Sequence, residues 1–165
     1  MKLSNLSVIT ATLAMRSPSR GQLSMYPPGG AGRIEVTVNG DLSTSGCLNV
    51  DGAWTVNTGN CAAVFGNGQG GISTENGWLI LDEDSNITTT TTTWSTAWVG
   101  THTNQDRTAH YLQANVGNTG GEPWGGQLWF SDQAPEGDAV VTLNGKHIHA
   151  PVHVILTFAS TAGDS

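Results

Sequence analysis

Five dipeptides of the kind that turn a β-hairpin punctuate this chain of 165 residues. Asn or Asp followed by Gly supplies the two positive-φ residues of a type I′ turn, which joins antiparallel strands. The segments between the dipeptides are rich in Val, Ile, Thr and aromatic residues, which favour strands. The pattern therefore predicts an all-β fold, either a small antiparallel β-sandwich or a barrel-like meander. The dipeptides are Asn39-Gly40, Asp51-Gly52, Asn67-Gly68, Asn76-Gly77 and Asn144-Gly145.

Alternating apolar and polar residues locate the strands between these turns. Ile34, Val36 and Val38 alternate with polar residues, so the first strand is expected to bury one face. Charged residues make up only 12% of the chain, whereas there are 22 glycines, and this composition disfavours helices with charged surfaces. Strands are predicted at residues 33–38, 46–50, 53–58, 61–65, 77–82, 87–94, 97–103, 109–116, 126–131, 138–143 and 146–158, and no helix is required.

The N-terminal residues have the pattern of a short secretory signal. Lys2 gives a positive start, residues 6–15 form an apolar run, and small residues lie near the end of that run. We therefore expect a signal segment at 1–15, a linker at 16–32 and a single β domain at 33–160. A buried strand or helix is the alternative for the first segment. The other apolar runs are too short to span a bilayer, so a secreted, extracellular protein without membrane contact is expected.

Cys47 and Cys61 are the two cysteines of the chain. In an oxidising compartment they can form a disulfide that closes a small loop, which would stabilise the fold by about 3 kcal/mol. The alternative is a pair of buried free thiols. No further cysteine is present to complete a zinc site built from thiolates.

The net charge of the chain is -7, with 6 Lys and Arg residues against 13 Asp and Glu residues. Such a balance produces a field that repels a phosphate backbone. Direct binding of nucleic acid is therefore disfavoured.

The residues around the two cysteines follow a specific order. They are Gly46-Cys47-Leu48, then Asp51-Gly52-Ala53-Trp54, then Gly59-Asn60-Cys61-Ala62, and finally Phe65. This order resembles the C-terminal accessory β domain attached to many fungal ribonuclease T2-like proteins. Residues 34–40 are similar to the opening hairpin of that domain, and residues 128–131 and 135–141 are similar to its closing strands. The resemblance is strongest over residues 33–65 and weaker to about residue 143, and residues 84–120 and the tail after Gly145 do not clearly follow it.

The resemblance implies a module without catalytic activity of its own. In that family ribonucleolysis is carried by a separate upstream domain, whose histidines stand in His-Gly-Leu-Trp-Pro and His-Glu-Trp motifs. Neither motif occurs here, and no histidine precedes His102. We therefore expect the catalytic partner domain to be missing from this chain, which is either a stand-alone copy or the product of a truncated reading frame.

Three C-terminal histidines are the strongest candidates for chemistry. On a strand at 146–158, His147, His149 and His153 would project from the same face and could share a metal ion. A solvated polar face is the alternative, and it is favoured because the residues between the histidines are mainly apolar, as in any half-buried strand. No cofactor is expected.

Two short motifs have ordinary structural explanations. Residues 66–71, Gly-Asn-Gly-Gln-Gly-Gly, have the spacing of a dinucleotide-binding loop, but no helix signal follows, so a hairpin loop is predicted. Asn86-Ile87-Thr88 matches the N-glycosylation sequon, which makes Asn86 a candidate glycosylation site. An unmodified loop asparagine is the alternative.

Six tryptophans remain as a binding signal. Trp54 and Trp78 lie in strand-like surroundings and are expected in the core. Trp94, Trp98 and Trp124 lie beside Thr, Ser and Gly residues, so their rings are candidates for an exposed platform that stacks on a sugar. Packing in the core or at a sheet edge is the alternative.

These patterns favour a secreted, non-catalytic module that binds or anchors. The expected partner is a polysaccharide or cell wall, or an association with an RNA-degrading activity. One alternative is a metal-dependent enzyme or residual ribonuclease that uses the C-terminal histidines. Another is a structural domain whose strand edges pair with a partner chain.

Overall fold

The structure, a computed structural model, describes residues 26–39, 45–102, 109–115 and 128–161. In these ranges the chain is all-β, as predicted: its twelve strands form one antiparallel sheet that curls into a half-barrel. None of these ranges contains a helix that is long and apolar enough to cross a membrane. The strands are β1 Gly29–Val38, β2 Cys47–Leu48, β3 Trp54–Thr55, β4 Val64–Asn67, β5 Ile72–Thr74, β6 Gly77–Leu81, β7 Ile87–Thr90, β8 Ala97–His102, β9 Ala109–Asn115, β10 Leu128–Ser131, β11 Val140–Val141 and β12 Val152–Ser160.

The sheet is organised around the pairing of β1 with β12. Seven residue pairs join these strands, from Gly32 opposite Ser160 to Val38 opposite Val154. The other edge of β1 pairs with β4 along its first half and with β2 farther on, and the order then continues from β4 through β5 and β6 to β7. On the far side, β12 pairs with β9 and β10, and β9 pairs with β8. Two arms of sheet therefore extend from the central pair.

The core lies on the inner side of the curled sheet. Alternate residues of each strand point into it, and Val36 of β1 and Leu156 of β12, which are directly opposite, are both 0% exposed. Three tryptophans, Trp54, Trp98 and Trp129, are fully buried, and the ring centroids of Trp98 and Trp129 are 5.6 Å apart. The prediction that Trp54 lies in the core is confirmed.

Trp98 also holds the two arms of the sheet together. It lies on β8, in the arm beyond β12, yet its Nε1 group donates a hydrogen bond of 2.9 Å to the carbonyl of Leu79 on β6. Its backbone N–H donates to the carbonyl of Gly70, in the loop between β4 and β5, at 2.8 Å. Because both bonds cross from one arm to the other, Trp98 closes the curl.

The predicted disulfide is present between Cys47 and Cys61, whose Cα atoms are 5.5 Å apart. Cys47 lies on β2, and Cys61 directly follows a 3-10 turn at Thr58–Asn60. The bond therefore ties the β2–β3 hairpin to the segment that leads into β4. A disulfide is compatible with an extracellular protein.

Three of the predicted hairpin turns are confirmed. Gly52 lies between β2 and β3, Gly68 between β4 and β5, and the Asn76-Gly77 turn joins β5 to β6. Gly52 and Gly68 adopt φ angles of 84° and 71°. Asp51 and Asn67 do not have positive φ angles, so the positions of these turns are confirmed but the predicted type I′ geometry is wrong. Gly40 lies outside the described residues. The predicted hairpin at Asn144-Gly145 is wrong, because Asn144 instead forms isolated bridges with Asn86 and Phe130.

Several strand limits also differ from the predicted ones. β1 begins at Gly29, inside the predicted linker at 16–32, because its first residues keep the backbone N–H groups that pairing requires and lie opposite β4. β12 begins at Val152 rather than at 146, since residues 145–151 form turns. The short strand β5 was not predicted. The predicted signal segment at 1–15 lies outside the described residues.

Replacing both Cys47 and Cys61 with alanine should lower the free energy of unfolding by about 3 kcal/mol, because the unfolded chain then gains the freedom of the open loop. Urea unfolding followed by circular dichroism would measure the loss. Reduced wild-type protein is the control and should behave like the double variant. Equal stability of the oxidised wild type and the variant would contradict a stabilising role.

Candidate functional site

The outer face of the arm from β4 to β6 presents two aromatic side chains. Val64, Ile72 and Leu79 point into the core, one from each of these three strands. Since successive side chains of a strand alternate between the two faces of a sheet, the neighbours Phe65, Ser73 and Trp78 point outward. The aromatic exposure therefore follows directly from how these strands fill the core.

The strand register places these outward residues in one line. Phe65 lies opposite Ser73, and Ser73 lies opposite Trp78. The line continues on both sides, because Ala31 of β1 lies opposite Phe65 and Thr90 of β7 lies opposite Trp78. We call these five residues, Ala31, Phe65, Ser73, Trp78 and Thr90, the outer aromatic strip.

Phe65 is the more exposed of the two aromatic residues of the strip. It is 55% exposed, whereas Trp78 is half-buried. The two aromatic residues lie two strands apart on the same outer face, which makes this face the candidate binding surface. The β4–β5 loop beside it is held by Asn67, whose Oδ1 atom accepts hydrogen bonds from the N–H groups of Gln69 and Gly71 at 2.8 and 2.9 Å.

This strip differs from the tryptophan platform predicted from the sequence. Trp98 is 0% exposed and cannot stack on a ligand, because its position on β8 faces the core. Trp94 is half-buried and follows β7, and Trp124 lies outside the described residues. The prediction of a platform formed by Trp94, Trp98 and Trp124 is therefore wrong for Trp98.

The sequence contained a signal for the observed strip. Val64 and Gly66 are buried and alternate with Phe65, so a strand starting at Val64 places Phe65 outside. A predicted strand at 61–65 gave no reason to separate Phe65 from the apolar residues before it. Trp78 was expected in the core, but Leu79 occupies the inward position on β6.

The three candidate metal-ligating histidines do not share a strand face. His147 and His149 are exposed in the turns before β12, so the predicted strand at 146–158 is wrong over this part. His153 does lie on β12, where its ring packs edge-on against Phe130 with centroids 5.1 Å apart and its Nε2 atom is 3.0 Å from the carbonyl oxygen of Ala150. Within the described ranges, no group of three His, Cys, Asp or Glu residues is arranged to hold a metal ion.

Residues 66–71 comprise the last two residues of β4 and the loop at 68–71 that leads into β5, which confirms the predicted hairpin loop. The next element is a strand rather than a helix, so the loop offers no helix N-terminus to a pyrophosphate.

A polar surface cleft of about 440 Å³ lies where β7, β10 and residues 142–147 meet. Asn144 organises this cleft: its Nδ2 group donates to the carbonyl of Asp84 at 2.8 Å and to Oδ1 of Asn86 at 2.9 Å, and its Oδ1 accepts from two backbone N–H groups. The cleft is lined by Asp84, Asn86, Phe130, Ser131, Asp132, Thr142, Asn144, Lys146 and His147.

Both the nitrogen and the oxygen of the Asn86 side-chain amide form hydrogen bonds, and Asn86 is the candidate glycosylation site. Its Nδ2 group donates to Oδ2 of Asp82 at 3.0 Å, while its Oδ1 accepts from Asn144. Glycosylation of Asn86 stays a prediction. The preceding residue, Ser85, is buried and has a φ of 69°, which the hydrogen bonds around it hold in place.

The carboxylate of Asp82 accepts hydrogen bonds from the backbone and the side chain of Asn86 in this loop. Desolvation alone would raise the pKa of its carboxyl, but hydrogen bonds from the Asn86 side chain and from the backbone N–H groups of Asn86 and Asp84 outweigh that effect. The pKa of Asp82 is therefore lower than its ordinary value.

Comparison with protein-family models, with curated proteins and with solved structures finds no match for this chain. The resemblance to the accessory domain of ribonuclease T2-like proteins therefore stays a prediction from the residues that carry it.

Asp82→Asn should reduce the pH dependence of stability. Because the folded-state pKa of Asp82 is lowered, its ionised form stabilises the fold above the ordinary carboxyl pKa, and this contribution is lost as the pH falls through the folded-state pKa. Between neutral pH and about pH 3, the free energy of unfolding should fall less in the variant than in the wild type. Glu136→Gln, which removes an exposed carboxylate elsewhere, is the control, and identical pH profiles of Asp82→Asn and wild type would contradict the assignment.

Proposed function

We propose that this chain is a secreted, non-catalytic module that anchors on a polysaccharide such as a cell-wall glucan. The observation that carries the proposal is the outer aromatic strip, in which Phe65 and Trp78 present their rings on a cross-linked, hydrogen-bonded sheet. Sugar rings have apolar C–H faces that pack on aromatic rings, and a rigid platform loses little conformational entropy when it binds.

Electrostatics support an uncharged ligand. The chain carries a net charge of -7, which disfavours phosphate-rich and other anionic polymers at long range. None of the five residues of the strip is charged. An uncharged polysaccharide meets no repulsion on this surface.

The alternative of an enzyme acting through the C-terminal histidines has less support. His147 and His149 lie in exposed turns, while His153 is half-buried against Phe130. Groups so placed do not converge on one substrate atom, as acid–base or metal-assisted chemistry requires. A binding role instead uses Phe65 and Trp78, which the strand register does bring onto one line.

The proposal of secretion relies on the Cys47–Cys61 disulfide and the signal-like start of the chain. The resemblance to an accessory domain fits the same role, because such a domain would attach a separate RNA-degrading domain to its surroundings. The present chain would then supply the attachment alone.

Phe65→Ala and Trp78→Ala should each weaken retention on insoluble cell-wall glucan by about tenfold, since an aromatic contact is worth roughly 0.5–1.5 kcal/mol beyond the area that it buries. Depletion isotherms with increasing amounts of polysaccharide would measure the change. Tyr111→Ala is the matched control, because Tyr111 is an aromatic residue with 40% exposure on β9, away from the strip. Unchanged retention of both strip variants would overturn the proposal.

A further inference from the structure

The direction of the outer aromatic strip limits how a polymer can lie on it. The strip runs from β1 to β7, perpendicular to the strands, and its two aromatic residues, Phe65 on β4 and Trp78 on β6, lie two strands apart. Neighbouring strands are about 4.8 Å apart, so the two aromatic residues are separated by roughly 10 Å. This separation is close to the length of a disaccharide, so two rings of one extended sugar chain could stack on them at once.

The residue between the aromatic ends leaves room for such a chain. Ser73 is small, and its hydroxyl group lies 3.5 Å from the carbonyl oxygen of Phe65, close to the sheet. No side chain in the line stands between Phe65 and Trp78 except this serine. The passage between the two aromatic residues is therefore free of large side chains, and this single narrow line suits a linear chain better than a branched one.

Gly71 determines how Trp78 lies on the sheet. A Cβ atom at Gly71 would come within 3.0 Å of Cζ3 of Trp78 and within 2.6 Å of Nδ2 of Asn67. Gly71 is buried, and both the edge of the indole ring and the carboxamide of Asn67 lie beside it. A side chain at this position would therefore displace the Trp78 ring, the Asn67 carboxamide or both.

Polar groups beside the rings suit the hydroxyl groups of a sugar. The carboxamide of Asn67 lies next to Gly71 and the Trp78 ring edge, and Thr90 continues the line on β7. These groups are uncharged donors and acceptors. By contrast, a typical protein partner covers about 800 Å² of surface with an apolar centre, which is wider than a line of single residues.

We propose that the outer aromatic strip binds one linear, uncharged polysaccharide chain laid across β4, β5 and β6, and that Gly71 is a positioning residue, because its missing side chain leaves the space beside which the edge of the Trp78 ring lies. This inference rests on the proposed function and specifies its ligand and binding direction. Phe65 and Trp78 stack on two sugar rings of the same chain, Ser73 leaves the passage between them open, and Asn67 and Thr90 meet the hydroxyl groups.

The test measures binding of soluble oligosaccharides by calorimetry, with a linear β-linked glucan oligosaccharide, a branched one and a carboxylated one as probes. Wild type should bind the linear probe at least about tenfold more tightly than the other two. Gly71→Ala should weaken binding of the linear probe by about tenfold, because the added methyl group would come within 3.0 Å of the Trp78 ring and within 2.6 Å of the Asn67 carboxamide and displace them. Phe65→Trp, which keeps an aromatic face, should retain binding.

Ser73→Leu is the second variant, in case Gly71→Ala also disturbs the loop. A leucine at this position raises a ridge between the rings, so the linear probe should lose affinity while circular dichroism and the melting temperature match wild type. Tyr111→Ala again serves as the control and should bind like wild type.

The outcomes separate the two proposals. If wild type binds no polysaccharide at all, the proposed function fails and this inference fails with it. If wild type binds polysaccharide but Gly71→Ala and Ser73→Leu bind as tightly as wild type, or if the branched or carboxylated probe binds equally well, only the present inference is overturned. A dimer in light scattering that Phe65→Ala dissociates would identify a second copy of the chain as the occupant and would also overturn it.

Discussion

The pairing of β1 with β12 is the interaction on which the rest of the structure depends. These strands come from opposite ends of the described chain, yet they share seven residue pairs and bury Ile34 and Val36 against Leu156 and Phe158. Forming this pair requires a large loop to close, which costs conformational entropy that the buried apolar surface must offset. Once β1 is fixed, its other edge can pair with β2 and β4, and the arm that bears the outer aromatic strip is set in place.

The same alternation of side chains fills the core and places the outer aromatic strip on the opposite face of the sheet. A shift of one residue in the register of β4 would move Val64 out of the core and Phe65 into it. The residues of the strip face outward because their neighbours on each strand point into the core.

The sequence predicted the positions of the turns better than it predicted which face of the sheet each side chain occupies. The turns at Gly52 and Gly68 depend on the backbone conformation of two or three residues, so the sequence was sufficient to find them. Asn144-Gly145 has the same composition, but hydrogen bonds to Asn86 and Phe130 from distant strands give Asn144 a different role. Likewise, Trp98 points into the core whereas Trp78 points outward and is half-buried. This difference depends on which strands lie beside each tryptophan, and no local sequence pattern predicts it. His147 and His149 had strand-like spacing, but turns take up this part of the chain.

The central pair also determines how the sheet would respond to tension. Gly32 lies opposite Ser160, and the N–H of Thr161 donates to the carbonyl of Ala31, so the end of β12 leaves the sheet beside the first half of β1, which stays paired with β4. A force that pulls the end of β12 sideways away from β1 would load the hydrogen bonds between these two strands one after another, instead of loading them together in shear. Ala31 belongs to the outer aromatic strip and pairs with Phe65, so its backbone would be among the first to lose a hydrogen bond. Mechanical load at this corner of the molecule would therefore disturb the end of the strip before the core opened.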